Sequence, residues 1–82
     1  MSTRILFFSL LRDVVGSEEI EWEIPEEGIT VADLLEQLGA RWPDLNGWGA
    51  KILVAVDLDY VNREAVVKPG QEIAIMPPVQ GG

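Results

Sequence analysis

The 82-residue chain contains neither cysteine nor histidine. Their absence excludes disulfides, thiol nucleophiles and imidazole bases, and it removes the side chains that build nearly all zinc and haem sites. Basic residues are also few, because six Lys and Arg stand against fourteen Asp and Glu, for a formal net charge of −8. A chain of this sign is repelled by nucleic-acid phosphates and anionic lipids. We therefore expect no nucleic-acid partner, no membrane partner and no enzyme activity of the chain on its own.

The N-terminal residues do not show the pattern of an export signal, so we expect none. The apolar run at residues 5–11 is interrupted by Ser9, is too short to span a bilayer, and leads into Arg12 and Asp13 without a small-residue cleavage site. With neither an export signal nor cysteines for disulfides, we expect a cytoplasmic protein.

The chain does have enough apolar residues for one small core, since 48% are apolar and 24% charged. Residues 3–10 are nearly continuously apolar, which predicts a central strand. Residues 19–24 alternate between Glu and apolar residues, which predicts a half-exposed strand paired with the first. Thr30 and Asp33 form a capping-box-like start to a helix that ends at Gly39 or Pro43. Its apolar stripe is Val31, Leu34, Leu35 and Leu38.

The second half of the chain predicts short strands between turns. Two prolines, Pro77 and Pro78, stop the last strand. The predicted segments are a loop at 44–50, a buried strand at 52–56, a turn at 57–59, a short strand at 60–61, a turn at 68–70 and a last strand at 72–76. This order predicts an α+β fold, a ubiquitin-like β-grasp with a mixed four- to five-stranded sheet and one main helix packed on one face. We assign residues 1–76 to the β-grasp domain and 77–82 to a flexible C-terminal Gly-Gly tail.

Acidic residues are concentrated in one part of the chain. Nine of them, and no Lys or Arg, lie between Asp13 and Glu36. They predict a solvated face, with steering toward a basic partner protein as the alternative. Asp57 and Asp59 lack the further ligands of an EF-hand loop, so we interpret them as turn residues and expect no metal site.

The C-terminal residues Gly81 and Gly82 form the most informative motif. Without Cβ atoms, they can pass through a narrow channel and expose the terminal carboxylate to another protein. A carboxylate must be activated before it can transfer an acyl group, most simply as an acyl-adenylate. Nothing in this chain cradles phosphate, so the ATP site would lie on a partner. The alternative is an ordinary frayed terminus.

Over essentially its whole length the chain resembles the small subunit of molybdopterin synthase. That family has a β-grasp fold and acts as a sulfur carrier. The segments that carry the resemblance are ILFF at 5–8, LRDVVG at 11–16, TVADLL at 30–35, VAVD at 54–57 and KPGQEIAIMPPVQGG at 68–82.

The resemblance implies a chemical role for the last two residues. An activating enzyme, using ATP and Mg, would adenylate Gly82, a sulfur donor protein would convert it to a thiocarboxylate, and the large catalytic subunit would use that sulfur. Two transfers would convert precursor Z (cyclic pyranopterin monophosphate) into the molybdopterin dithiolene. Gly81 would give access to Gly82, and this chain would bind no cofactor itself.

The resemblance also implies a partner-binding surface and an assembly. The expected assembly is a heterotetramer, with two small subunits on a large-subunit dimer. The positions that match the family's contact residues, together with the entry to the tail, are Phe8, Tyr60, Met76, Pro77, Pro78 and Val79.

Two positions depart from the family pattern, and three other functions stay open. The family often has Asn where this chain has Asp57, and an acidic residue where it has Gln71; both are turn positions. The alternatives are a thiamine-pathway sulfur carrier, a ubiquitin-like protein modifier and a plain interaction module. The Pro77–Pro78–Val79 entry to the tail favours the molybdopterin type over the thiamine type.

Overall fold

The computed structural model describes residues 2–48 and 51–78. Its strands and helices, in chain order, are β1 (Ser2–Phe7), α1 (Leu10–Val15), β2 (Glu19–Glu23), β3 (Ile29–Thr30), α2 (Val31–Arg41), a 3₁₀ helix (Pro43–Gly47), β4 (Leu53–Val56), β5 (Asp59–Val61), β6 (Val66–Val67) and β7 (Ile73–Met76).

Five of the strands in this described part form one mixed sheet in the order β2-β1-β7-β4-β5. Strand β1 is antiparallel to β2 and parallel to β7, while β4 is antiparallel to both β7 and β5. The predicted pairing of the first two strands and the predicted mixed sheet are therefore confirmed. Strands β3 and β6 form a second, two-stranded sheet that the sequence did not predict. Each has only two residues, too few for a recognisable alternation.

The core lies between α2 and one face of the five-stranded sheet. Its fully buried members include Val31, Leu34 and Leu38 from the helix and Ile5 and Ile75 from the sheet. The predicted apolar stripe of α2 is therefore confirmed, except that Leu35 is only partly buried. Burial of these side chains is the main favourable term for a domain of this size.

Helix α2 begins as predicted and ends slightly differently. The Thr30 Oγ1 accepts a hydrogen bond from the Asp33 amide at 3.1 Å, which satisfies one of the free amides of the first turn. The helix continues past Gly39 to Arg41, because Gly39 is buried and its carbonyl accepts from the Asn46 side chain at 3.3 Å. Pro43 then starts the 3₁₀ helix, so the described part of the predicted loop at 44–50 is mostly helical.

The first strand is shorter than predicted, and a helix follows it. β1 ends at Phe7, and Leu10–Val15 form α1, a helix that the sequence did not predict. The apolar run continues from the strand into the helix because both elements contribute to the core: Phe7 of β1 and Leu11 of α1 are both fully buried. A continuous apolar run does not distinguish a strand from a short helix. In the described ranges, no helix combines the length and apolarity needed to cross a membrane.

Candidate docking surface and C-terminal segment

The face of the five-stranded sheet opposite α2 carries an apolar row. Residues that pair across strands project to the same side of a sheet, and successive residues alternate between sides. Because Ile5, Ile73 and Val54 face the core, their chain neighbours face away from α2. The pairing register aligns those neighbours as Leu6, Ala74, Ala55 and Tyr60, with Leu53 opposite Met76 in the next row. We call these six residues the open-face row.

Two of the predicted contact residues meet in this row. The Tyr60 hydroxyl donates to the Met76 Sδ at 4.0 Å, although the two residues are 16 positions apart. Tyr60 is 68% exposed and Met76 is half-buried. Their contact depends on the order β7-β4-β5, which brings the two strands to either side of β4.

The third predicted contact residue, Phe8, lies directly after β1. Its amide donates to the Ile75 carbonyl at 3.1 Å, so the backbone of Phe8 continues the parallel pairing toward Met76. Phe8 is 44% exposed, so it is not a core residue. Parallel strands end at the same edge of a sheet, so Phe8 lies at the edge where β7 ends.

The C-terminal segment leaves from the middle of the sheet. Met76 is the last residue of β7, and the half-buried Pro77 and Pro78 follow it. Proline has no amide hydrogen, so the strand pairing cannot continue through them. The remaining predicted site residues, Val79, Gly81 and Gly82, lie outside the described residues, and their roles stay predictions.

The structure adds a feature at this edge that the sequence reasoning missed. Between Phe8 and Leu10, the Ser9 backbone adopts φ 55° and ψ −132°. L-residues rarely adopt this conformation, which costs about 1–3 kcal/mol. The turn is fixed by hydrogen bonds from the Leu11 amide to the Phe8 carbonyl and from the Arg12 amide to the Ser9 carbonyl, both 3.1 Å. Leu10 is left 57% exposed. We call Phe8, Ser9 and Leu10 the 8–10 corner.

A sequence signal for Leu10 was present. Leu10 and Leu11 are adjacent, and a short surface helix that buries one of two adjacent residues turns the other about 100° away. The doublet therefore predicted one exposed leucine once α1 was recognised as a helix.

The acidic residues lie on the surface. All nine between Asp13 and Glu36 are exposed, in agreement with a solvated face. Among them, Glu19 pairs with Arg4 at 3.8 Å and Glu18 with Arg12 at 3.1 Å. Exposed pairs of this kind contribute little to stability. Because Glu19 is the register partner of Leu6, the β2 end of the open-face row is acidic.

The Asp57 carboxylate stabilises a turn. Its Oδ1 accepts from the Glu72 amide at 2.9 Å and its Oδ2 from the Gln71 Nε2 at 3.4 Å. Asp57 and Leu58 both have positive φ, 50° and 74°, as in a tight two-residue hairpin. Across the described residues, no three potential metal-ligating side chains are grouped as a metal site requires.

A mixed five-stranded sheet crossed on one face by one main helix defines a ubiquitin-like β-grasp protein. Comparison with known sequences specifies the family, because the model of the ThiS family matches residues 5–82. The chain belongs to the ThiS family.

Curated relatives match the chain over nearly its whole length. The "molybdopterin synthase sulfur carrier subunit" of Haemophilus influenzae is 37% identical, with 95% of this chain and 96% of the relative covered. The protein of the same name from Chlamydomonas reinhardtii is 35% identical, with both chains fully covered. "Small archaeal modifier protein 3" of Haloferax volcanii is 29% identical, also with both chains fully covered.

Solved structures share the fold. A putative molybdopterin converting factor subunit 1 from Pyrococcus furiosus superposes with a TM-score of 0.82 at 26% identity, covering 96% of this chain and 99% of the other. SAMP1 from Haloferax volcanii superposes with a TM-score of 0.81 at 27% identity over all of both chains. The predicted β-grasp fold is confirmed.

Proposed function

We propose that this chain is the sulfur carrier subunit of a molybdopterin synthase. One observation carries the proposal: relatives that bear this name match the chain from end to end, at up to 37% identity among those compared above. The ThiS family match also extends through residue 82, so it includes the Gly-Gly motif on which carrier chemistry depends.

The proposed chemistry takes place on the terminal carboxylate of Gly82. A partner activating enzyme joins this carboxylate to AMP from ATP, with Mg, and pyrophosphate leaves. Sulfur at the sulfide level, supplied by a sulfur donor protein, then attacks the carbonyl carbon of the adenylate; the bond to AMP breaks, and Gly82 becomes a thiocarboxylate. On the large subunit that sulfur passes to precursor Z and water restores the Gly82 carboxylate, and two such transfers form the dithiolene of molybdopterin. Gly81 adds no side chain that would obstruct a narrow catalytic channel.

This chain contributes position rather than catalytic side chains. The C-terminal segment follows β7, which is hydrogen-bonded on both sides, so its starting point is rigid. The open-face row and Phe8 offer apolar surface beside that point, and Tyr60 and Met76 are already in contact there. We propose that these residues, with Pro77, Pro78 and Val79, bind the large subunit in a heterotetramer of two small subunits on a large-subunit dimer.

A second candidate function is protein modification. The full-length match to a small archaeal modifier protein supports it. In that case the activated Gly82 carbonyl would form an isopeptide bond with a lysine of a target protein.

Mass spectrometry of the C-terminal peptide separates the two functions. The chain is incubated with ATP, the activating enzyme and a sulfur donor. Exchange of oxygen for sulfur has nearly the mass of methionine oxidation, so the peptide is fragmented and a Met76→Leu variant is measured in parallel. We expect sulfur on Gly82, none on a chain lacking Gly82, and normal loading of a Gln80→Ala control.

Two results would contradict the carrier function. One is an unmodified Gly82 in the presence of a demonstrably active partner enzyme. The other is molybdopterin synthesis that persists in cells whose only copy of this protein lacks Gly82. Lysine-linked adducts on many proteins would instead support the modifier function.

A further inference from the structure

The 8–10 corner presents two large apolar side chains on a fixed backbone. Phe8 and Leu10 are 44% and 57% exposed, and both flank the left-handed Ser9. Hydrogen bonds on both sides of Ser9 hold the corner, and the fully buried Leu11 anchors α1 directly after it. Strained backbone is retained where the surrounding structure over-determines it, and such positions cluster at binding sites. Because this backbone is already fixed by hydrogen bonds, a partner that covers the corner does not have to order it.

The position of the corner identifies what could cover it. β1 and β7 are parallel and adjacent, so the corner after β1 and Pro77–Pro78 after β7 lie at one edge of the sheet. Gly82 is the fourth residue after Pro78, and four residues span at most about 14 Å. A protein that acts on Gly82 must therefore approach this edge closely, which brings its surface against the corner.

We propose that the 8–10 corner seats in an apolar pocket of the large synthase subunit, with Leu10 as a partner-contacting residue. The inference rests on the proposed carrier function and extends its contact surface to a residue outside the open-face row.

Charge argues against a second copy of this chain as the occupant. Each copy carries a net charge of −8, so two copies of the chain repel each other as they approach. The corner includes Phe8, which the proposed function places against the large subunit, and Leu10 lies two residues further along the same fixed backbone. Continuity with that surface assigns Leu10 to the same partner.

The test compares two leucines at opposite edges of the same sheet. Leu10→Ser removes the proposed anchor. Leu58→Ser is the matched control, because Leu58 is 88% exposed in the turn after β4, which runs antiparallel to β7 and so ends at the other edge. The affinity of each full-length variant for the purified large subunit is measured by isothermal titration calorimetry, and circular dichroism checks the fold. We expect Leu10→Ser to raise Kd about tenfold and Leu58→Ser to change it less than about twofold.

Every other outcome overturns the inference, and each one indicates a different explanation for the exposed corner. Unchanged affinity of Leu10→Ser, while the parent chain binds the large subunit and Gly82 accepts sulfur, refutes the corner contact and leaves the carrier function standing. Unchanged affinity with slower sulfur loading assigns the corner to the activating enzyme. A self-associated parent chain that Leu10→Ser makes monomeric assigns it to a second copy. A parent chain that neither binds the large subunit nor accepts sulfur refutes the carrier function together with the inference.

Discussion

The two positions that depart from the family pattern are hydrogen-bonded to each other, and this pairing gives a quantitative prediction. Gln71 Oε1 accepts from the Lys68 amide at 2.7 Å, so its Nε2 is directed to the Asp57 carboxylate. In Asp57→Asn the new amide can place its NH₂ against this Nε2, donor against donor. In Gln71→Glu a second carboxylate faces Asp57. The double variant restores one donor and one acceptor with their roles exchanged.

The expected free energies follow from the distances. At 3.4 Å the Asp57–Gln71 hydrogen bond is long and exposed, so its loss in Asp57→Asn costs about 0.5 kcal/mol. Two carboxylates at a similar separation in water repel by about 1 kcal/mol, so Gln71→Glu costs about 1.5 kcal/mol with the lost bond. The double variant costs about 0.5 kcal/mol in total. The coupling energy is therefore about 1.5 kcal/mol in favour of the exchanged pair.

Urea unfolding followed by tryptophan fluorescence measures these values. Trp22 and Trp42 are partly buried, with ring centroids 5.8 Å apart, so their emission reports loss of the fold. At 1 M NaCl the Gln71→Glu cost should fall to about 0.5 kcal/mol, because the Debye length is then about 3 Å. Asp59→Asn is the control, since it removes the same charge from the same hairpin, and we expect a change below about 0.5 kcal/mol. The pairing would be refuted if the cost of the double variant equalled the sum of the two single-variant costs. It would also be refuted if the cost of Gln71→Glu did not depend on salt.

Two further predictions concern stability and use the same unfolding assay. Gly28→Ala should lower the free energy of unfolding by about 3 kcal/mol, because φ is +88° and an added Cβ would lie 2.7 Å from the Val67 carbonyl oxygen. Gly16→Ala is the control: its φ is +79° but the space around it is open, so we expect a cost of about 1 kcal/mol. Equal costs for the two variants would show that β3 and β6 separate freely. Thr30→Ala should cost about 1 kcal/mol through loss of the α2 cap, and Thr30→Ser should recover most of it; a Thr30→Ser variant no more stable than Thr30→Ala would contradict the cap.

The larger elements of the fold were predictable because their patterns are long enough to be unambiguous. Five residues of strict alternation identified β2, and four apolar positions at helical spacing identified α2. The short elements were not predictable in the same way. α1 continues the apolar run of β1 without a break in composition, and the two-residue strands β3 and β6 depend on a pairing between positions about 37 residues apart.

The resemblance named candidate site residues, but their arrangement in space could not be predicted from it. The resemblance named Phe8, Tyr60 and Met76, yet the contact between the last two exists only because β4 lies between β5 and β7 in this register. The exposure of Leu10 follows from the Leu10–Leu11 doublet only once α1 is known to be a helix, and the sequence indicated a strand through residue 10 instead. Gly82 is the opposite case, since its proposed role comes from sequence and family membership alone.

The middle position of β7 has a consequence for the order of folding. The β1–β2 and β4–β5 pairs join strands close in sequence, and such local pairs can form within microseconds. They become one sheet only when residues 73–76 bond to both, a contact across nearly 70 residues on the β1 side. During synthesis, a nascent chain that has not reached Ile73 therefore holds two hairpins and no completed binding face. A partner that binds only the completed sheet consequently does not bind unfinished chains. In those chains the two C-terminal glycines needed for transfer have not yet been synthesised.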